Sequence, residues 1–283
     1  MDLIPSKEVL EKTYLSIKGV SLPTVPDIVQ KANAELTKPD PNIHELAQLI
    51  SKDPVLSGQI LKIVNSPYYG LRSKIDSVQK AVMLLGQKNL KNVLTSAGLK
   101  QAMSSNDESR KTFWDRSAAT AACASGIAGM VQDIKPEEAY LTGLFLDTGV
   151  LVLLDKTPAY KRVSENQPTY PNSIIIFEEN KFKTNHALVG YILAMAWKIP
   201  DESALAILHH HAQNFEEIDN PKIRSLMAIM QASYSMVSEV LSNDITSFEK
   251  SKEHKEFIEK ALEELMLPYD DVYAIAVESI REL

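Results

Sequence analysis

The sequence has a single cysteine, few glycines and no apolar run long enough to cross a membrane. One thiol excludes an intrachain disulfide framework, as is usual in a reducing compartment. Cys123 stands among alanines with no basic neighbour to lower its pKa, so a packed helix thiol is expected. The longest apolar stretch, 144–154, is short and contains Asp147. Because the first residues also lack a signal-peptide pattern, we expect a cytoplasmic protein without membrane contact.

The composition also lacks the basic excess of a general nucleic-acid-binding protein. Thirty Lys and Arg residues stand against 37 Asp and Glu residues, for a formal net charge of −7, whereas a phosphate backbone favours clustered positive charge. The charge is uneven, with a local +5 over residues 72–100 and a local −6 from residue 244 onward. A solvated helix face explains the basic region more simply than a binding patch. Nucleic-acid binding through Lys88 and Lys91 is therefore only a third hypothesis.

The alternating pattern of β-strands is missing, and the run 174–177 is the only β-branched one and is short enough to open a helix. Helix starts and stops are clearest between residues 45 and 86. Asp53-Pro54 is typical of a helix start, because the carboxylate accepts unpaired backbone N–H groups and proline lacks a donor that would have no partner. Asn65-Ser66-Pro67 ends that helix. An aromatic turn at 68–70 follows, and the next helix stops at Gly86.

Amphipathic periodicity and capping residues predict an all-α fold. Beyond the central stretch, the predicted helices lie near 7–18, 27–36, 90–99, 112–131, 136–147, 184–197, 201–211, 221–241, 248–266 and 270–281. The segment from about residue 219 onward has no cluster of site-like residues. It is expected to pack on the core or on a partner.

Four motifs occur in order: Leu22-Pro23-x-x-Pro26, Lys52-Asp53-Pro54, Val64-Asn65-Ser66-Pro67-Tyr68-Tyr69-Gly70 and Ala81-Val82-x-Leu84-Leu85-Gly86. Together they resemble the N-terminal signature of the HDOD family, bacterial signalling-associated domains related to the HD metal phosphohydrolases. The resemblance runs from about residue 22 to about residue 213. It implies two helical subdomains, 1–105 and 106–218, followed by a C-terminal helical extension over 219–283.

In the HD phosphohydrolases, histidines and aspartates from several helices bind divalent metal ions that activate a water for attack on a phosphate ester. By resemblance, Arg116 stands where the first histidine ligand belongs. Leu146 replaces the histidine of the His-Asp pair, and Asp147 is retained. No aspartate occurs between residues 223 and 237, where the last ligand would be expected, and the Gly-Tyr-Pro motif of the related cyclic-di-GMP phosphodiesterases is missing.

Three histidines match the later ligand segments of that pattern, namely His186, His210 and His211. Neighbouring residues on a helix point about 100° apart, so His210 and His211 can face one pocket only if the helix ends there. Each retained residue also has a structural explanation. Asp147 is suited to a turn, Arg116 could neutralise Asp147 in a salt bridge, and His186 could be a hydrogen-bonded core residue.

The missing ligands predict a protein that is not an enzyme and holds no metal or other cofactor. One divalent ion in a pocket of Asp147, His186, His210 and His211 is the alternative. We therefore expect a non-catalytic HDOD signalling module that acts by contact with signalling proteins of unknown identity. The competing hypothesis is a phosphohydrolase or phosphodiesterase with a reduced HD-type ligand set. A small anionic ligand beside Arg116 and the histidines is compatible with the first hypothesis.

Overall fold

The structure is a computed structural model that describes residues 3–65, 69, 71, 73–104, 107–157, 160, 171–241 and 252–281. These residues form fourteen α-helices and no strand, so the all-α prediction is confirmed. The helices are α1 Lys7–Ser16, α2 Asp27–Leu36, α3 Ile43–Ser51, α4 Pro54–Val64, α5 Val78–Met103, α6 Glu108–Ala128, α7 Pro136–Phe145, α8 Thr148–Lys156, α9 Pro171–Phe182, α10 His186–Ala196, α11 Asp201–His209, α12 Pro221–Leu241, α13 Lys252–Leu265 and α14 Tyr269–Arg281.

One compact unit consists of residues 23–114. Its helix starts follow the capping rules: the carboxylate of Asp53 accepts from the backbone N–H groups of Val55 and Leu56 at 3.0 Å. Helix α5 is interrupted at Gly86, whose φ of 66° lies in the left-handed region that glycine tolerates. The predicted stop at Gly86 is therefore observed, and a second helical segment follows directly.

Asn65 closes the end of α4 by binding the chain ten residues onward. Its side chain accepts from the N–H of Ile75 at 2.7 Å and donates to the carbonyl of Ile75 at 2.8 Å. The predicted aromatic turn lies, apart from Tyr69, outside the described residues, as do Arg72 and the side chain of Lys88.

The other unit comprises residues 3–22 and 115–281. Helix α12 packs against α7, α11, α13 and α14, and its apolar residues belong to one core with Cys123 and Ile127 of α6. The last two helices contribute Ile258, Leu262 and Val272 to the same core. They are thus packing elements of this unit, one of the two roles expected from the sequence.

Cys123 is fully buried, and burial raises the pKa of its thiol far above the usual range. The expectation of a packed helix thiol is therefore met. In the described ranges, every helix is too short or too polar to cross a bilayer. The division at 105/106 and 218/219 stays a prediction, because compactness alone does not show which segments fold on their own.

Candidate functional site

Asp147 is placed by the joint between α7 and α8. The backbone there approaches α10 so closely that a Cβ atom on Gly149 would lie 2.0 Å from the carbonyl oxygen of His186 and 2.8 Å from the backbone nitrogen of Gly190. A glycine is therefore needed at position 149. The close approach brings Asp147 beside His186, which is the first residue of α10.

His210 and His211 reach the same place because α11 ends at His209. The rings of His210 and His211 lie 4.1 Å apart between centroids, and those of His186 and His211 lie 4.9 Å apart. The condition derived from the sequence, an ending helix, is thus fulfilled. His209 points elsewhere, since its Nε2 atom lies 2.7 Å from the carbonyl oxygen of Leu3.

The three imidazoles converge through their Nε2 atoms. Nε2 of His186 lies 2.9 Å from Nε2 of His211 and 3.4 Å from Nε2 of His210. Oδ1 of Asp147 lies 3.6 Å from the Nε2 atoms of both His186 and His210. Sequence reasoning named these four residues without being able to show that they meet. We call them the His/Asp cluster.

Behind the cluster lies Glu178 of α9, a residue that sequence reasoning missed. Its fully buried carboxylate lies 2.8 Å from Nδ1 of His186 and accepts from the backbone N–H of His186 at 2.8 Å. The hydroxyl of Tyr160 donates to its other oxygen. In the sequence, Glu178 is followed by a second glutamate in a polar stretch and looks like a solvated residue. Only its burial distinguishes it from Glu179.

Burial disfavours the ionised forms of the cluster residues, but neighbouring opposite charges stabilise those forms. Burial would raise the pKa of Asp147, but the nearby His210 and the charges of His186 and Arg116 outweigh it, so the pKa is lowered. Burial likewise opposes the ionised form of Glu178, and His186 and Tyr160 lower its pKa overall. For His186, burial would lower the pKa, but Glu178 and Asp147 raise it. The site favours two carboxylates together with positive charge between them.

Arg116 and Leu146 stand where the family resemblance would place two further ligands. Leu146 is 1% exposed and packs in the apolar core, so it offers the cluster no polar atom. The guanidinium of Arg116 donates to the hydroxyl of Ser238 and lies 4.9 Å above the ring of Tyr234. Both Arg116 and Asp147 are described, and no ion pair joins them. The predicted salt bridge between these two residues is therefore wrong. The charge of Arg116 is held instead by α12 and acts on Asp147 from a distance.

The donor set of the cluster suits one metal ion and not two. Imidazole nitrogens and a carboxylate are ligands that zinc and its neighbours accept. The carboxylate behind His186 and the carbonyl oxygen of Ile207, 2.6 Å from Nδ1 of His210, are the outer partners that usually orient histidine ligands. In the ligand pattern that the resemblance implies, a second ion would take donors from positions 116 and 146. Those positions hold a cation and an apolar side chain.

Comparison with known proteins places the chain in a family. The profile of the HDOD domain matches residues 22–213. An HDOD domain protein of unknown function from Geobacter sulfurreducens is 25% identical, with a TM-score of 0.64 over 96% of this chain and 93% of that one. A protein of Shewanella amazonensis named as a candidate phosphohydrolase is 17% identical, with a TM-score of 0.66 over 98% of both chains, a likeness of fold alone.

A curated relative, an uncharacterized protein of Treponema pallidum, is 27% identical over 192 residues. The alignment covers 67% of this chain and 37% of that protein. The chain thus spans well under half the length of the curated relatives it matches.

Proposed function

Because the chain belongs to the HDOD family, which is related to the HD phosphohydrolases, we propose that it is a non-hydrolytic regulatory module. It transmits a signal in a bacterial cell by contact with another protein. The observation that carries this proposal is the pair of replaced ligand positions. Leu146 is buried in the core, and Arg116 is bound to Ser238 and Tyr234 on α12.

The chemistry of phosphate-ester hydrolysis explains why these two positions matter. Two-metal hydrolases hold their ions about 3.5–4 Å apart, so that one ion activates the attacking water while the other stabilises the leaving oxygen. With the guanidinium of Arg116 fixed nearby, a second cation would meet repulsion and would find no donor from Leu146. The pocket therefore lacks the means to clamp both oxygens of an in-line displacement.

The test is a hydrolysis assay on untagged protein supplied in turn with Mn²⁺, Zn²⁺ and Mg²⁺. Bis(p-nitrophenyl) phosphate and cyclic dinucleotides serve as substrates, and Asp147→Asn serves as the control variant. We expect turnover no higher than that of buffer with the same ion, and equal in parent and variant. Turnover that is well above the buffer rate and disappears in Asp147→Asn would refute a non-hydrolytic role.

A second candidate, a metal-dependent phosphohydrolase with a reduced ligand set, is favoured by one observation. Nε2 of His186 lies within 3.6 Å of a possible ligand atom from each of the other three residues, as a ligand of a working centre would. One ion can activate a water, but it leaves the departing oxygen without a metal. The assay above separates the two candidates directly. A protein partner and a small anion beside Arg116 are both ligands that we propose for the regulatory module, and a binding experiment tests each of them.

A further inference from the structure

The His/Asp cluster has the construction of a single-ion metal centre. We infer that His186, His210 and His211 bind one first-row transition-metal ion, with Zn²⁺ as the type. Asp147 completes the ligand set, and Glu178 acts as a positioning residue behind His186. This metal site lies in the same pocket as the proposed function, but it is tested by measuring bound metal, whereas the proposed function is tested by measuring hydrolysis. The failure of either one can therefore be told from the failure of the other.

Outer hydrogen bonds fix the tautomers of two rings. The Nδ1 atom of His186 faces a carboxylate oxygen of Glu178 at 2.8 Å, and Nδ1 of His210 faces the carbonyl oxygen of Ile207 at 2.6 Å. Neither oxygen has a hydrogen to donate, so in both rings Nδ1 carries the hydrogen. As long as both rings are neutral, their Nε2 atoms, 3.4 Å apart, turn lone pairs toward each other. Either a proton or a metal ion between the rings removes the repulsion between these lone pairs.

A proton between the rings engages fewer of the nitrogen and oxygen atoms of the cluster than a metal ion does. A hydrogen on Nε2 of His211 can be donated to His186 at 2.9 Å. That single hydrogen does not reach Nε2 of His210 or Oδ1 of Asp147, which lie 3.6 Å apart. One divalent ion accepts all four donor atoms at once. It also balances the two carboxylates, of which Glu178 is fully buried and Asp147 is 22% exposed.

The spacing of the nitrogens agrees with a common ligand centre. Histidine nitrogens bound to a tetrahedral zinc at about 2.0–2.1 Å stand roughly 3.3 Å apart. The observed separations of 2.9 and 3.4 Å lie on either side of that value. The ligand atoms of the three histidines all fall within 4.8 Å of one another. A small shift of His211 is enough to place them around one ion.

Ligand chemistry and access narrow the choice of ion. Three imidazoles favour zinc and its transition-metal neighbours over Mg²⁺ and Ca²⁺, which prefer oxygen ligands. His211 is partly buried and lines an open cavity of about 520 Å³ together with Leu188 and Ala212. An ion therefore has a route to the cluster. The neighbouring His209 lines the same cavity but is engaged with the carbonyl of Leu3.

His209 supplies a matched control for His211. The experiment measures zinc per chain by elemental mass spectrometry after dialysis of untagged protein against a Zn²⁺ buffer, for the parent, His211→Gln and His209→Gln. Each variant changes one histidine of the same three-residue run. We expect one zinc per chain in the parent and in His209→Gln, and a large loss in His211→Gln. The melting temperature should rise with Zn²⁺ only in the proteins that retain the ion.

Glu178→Gln tests the positioning role, because glutamine keeps the shape of the side chain but holds His186 less firmly. Zinc affinity should fall by about 10–100-fold, as for other outer partners of histidine ligands, while circular dichroism confirms the fold. Equal zinc in His211→Gln and His209→Gln would mark the ion as adventitious and overturn the proposal. A parent protein that takes up no zinc would overturn it as well. An unchanged affinity in Glu178→Gln would remove Glu178 from it.

Discussion

At the scale of single residues, Arg116 stands where the family resemblance would place a ligand, and it makes a structural contact instead. Its guanidinium bonds to the Ser238 hydroxyl and lies over the ring of Tyr234, so it connects α6 to α12. A hydrogen bond in which one partner is charged contributes more to stability than a neutral one. Partial exposure of Arg116 reduces that contribution through solvent screening. The residue has become part of the scaffold.

A double-mutant cycle measures this contact. Arg116→Met keeps most of the apolar contact with Tyr234, and Ser238→Ala removes the acceptor. We expect the two changes to be coupled by about 1 kcal/mol in the free energy of unfolding, since each removes the same hydrogen bond. Urea unfolding of the two single variants and the double variant gives the coupling. Strict additivity would show that the contact contributes nothing.

Residue types on their own allowed part of the site to be predicted. His186, His210, His211 and Asp147 could be named because their motifs match a ligand pattern, and the structure brings them together. Glu178 could not be named, because a buried glutamate and the exposed Glu179 beside it look alike in a sequence. Burial depends on how α9 packs. That depends on the fold of the whole unit and not on local spacing.

At the scale of elements, the start of α4 was predictable because a cap is a local interaction. Burial of Asp53 tends to raise its pKa, but Gln101 and the backbone N–H groups of Leu56 and Val55 lower it overall. A carboxyl with a lowered pKa in the folded state adds stability at pH values above its ordinary range. That stability is lost as the pH falls through the folded pKa.

The cap can be tested by substitution and by pH. Asp53→Ala should lower the free energy of unfolding by about 1 kcal/mol at neutral pH, because two backbone donors lose their acceptor. Asp53→Asn keeps an acceptor and should cost less. On acidification through the carboxyl range, the parent should lose stability relative to Asp53→Asn, as measured by urea unfolding at each pH. A parallel pH dependence of the two proteins would contradict the role of the carboxylate.

The contact between α8 and α10 is the element-scale feature on which the site depends most. A methyl group at position 149 would meet backbone atoms of His186 and Gly190, and backbone cannot rotate away as a side chain can. Asp147 and His186 are held near each other by this close approach. The sequence contains the glycine, but it gives no sign of which helix it touches.

Gly149→Ala should therefore destabilise the protein by about 1–3 kcal/mol or more, as overpacking does. Gly58→Ala is the matched control, because Gly58 lies within α4 and its added methyl would meet nothing within 4 Å. There, alanine should stabilise the helix by about 0.5–1 kcal/mol. Thermal unfolding of both variants shows whether each change lowers or raises the stability of the protein. A Gly149→Ala protein as stable as the parent would show that α8 and α10 can separate freely.

At the scale of the whole molecule, the C-terminal helices belong to a core that extends beyond the residues of the family match. Ile258 and Leu262 of α13 belong to the same apolar core as Cys123 and Ile127 of α6. Amphipathic spacing predicted these helices, but it could not decide between packing on this chain and packing on a partner. An apolar helix face looks the same in both cases, so only the tertiary structure decides.

One pair of adjacent residues tests that conclusion. Ile258 is buried, whereas Glu259 is exposed. Ile258→Ala should lower the free energy of unfolding by about 2–5 kcal/mol, because it leaves a cavity in the core. Glu259→Ala should change it by no more than about 0.5 kcal/mol. Urea unfolding of both variants is sufficient, and equal small effects would indicate that α13 is detached from the core.

We propose that the pocket binds one metal ion, and a pocket with one ion cannot act as a two-metal hydrolase. Anomalous diffraction at the zinc absorption edge, from crystals grown with Zn²⁺, tests it most directly because it counts ions in place. The account predicts one anomalous peak between the Nε2 atoms of His186, His210 and His211. Two peaks about 3.5–4 Å apart, the spacing of two-metal centres, would contradict it and would revive hydrolysis as the function.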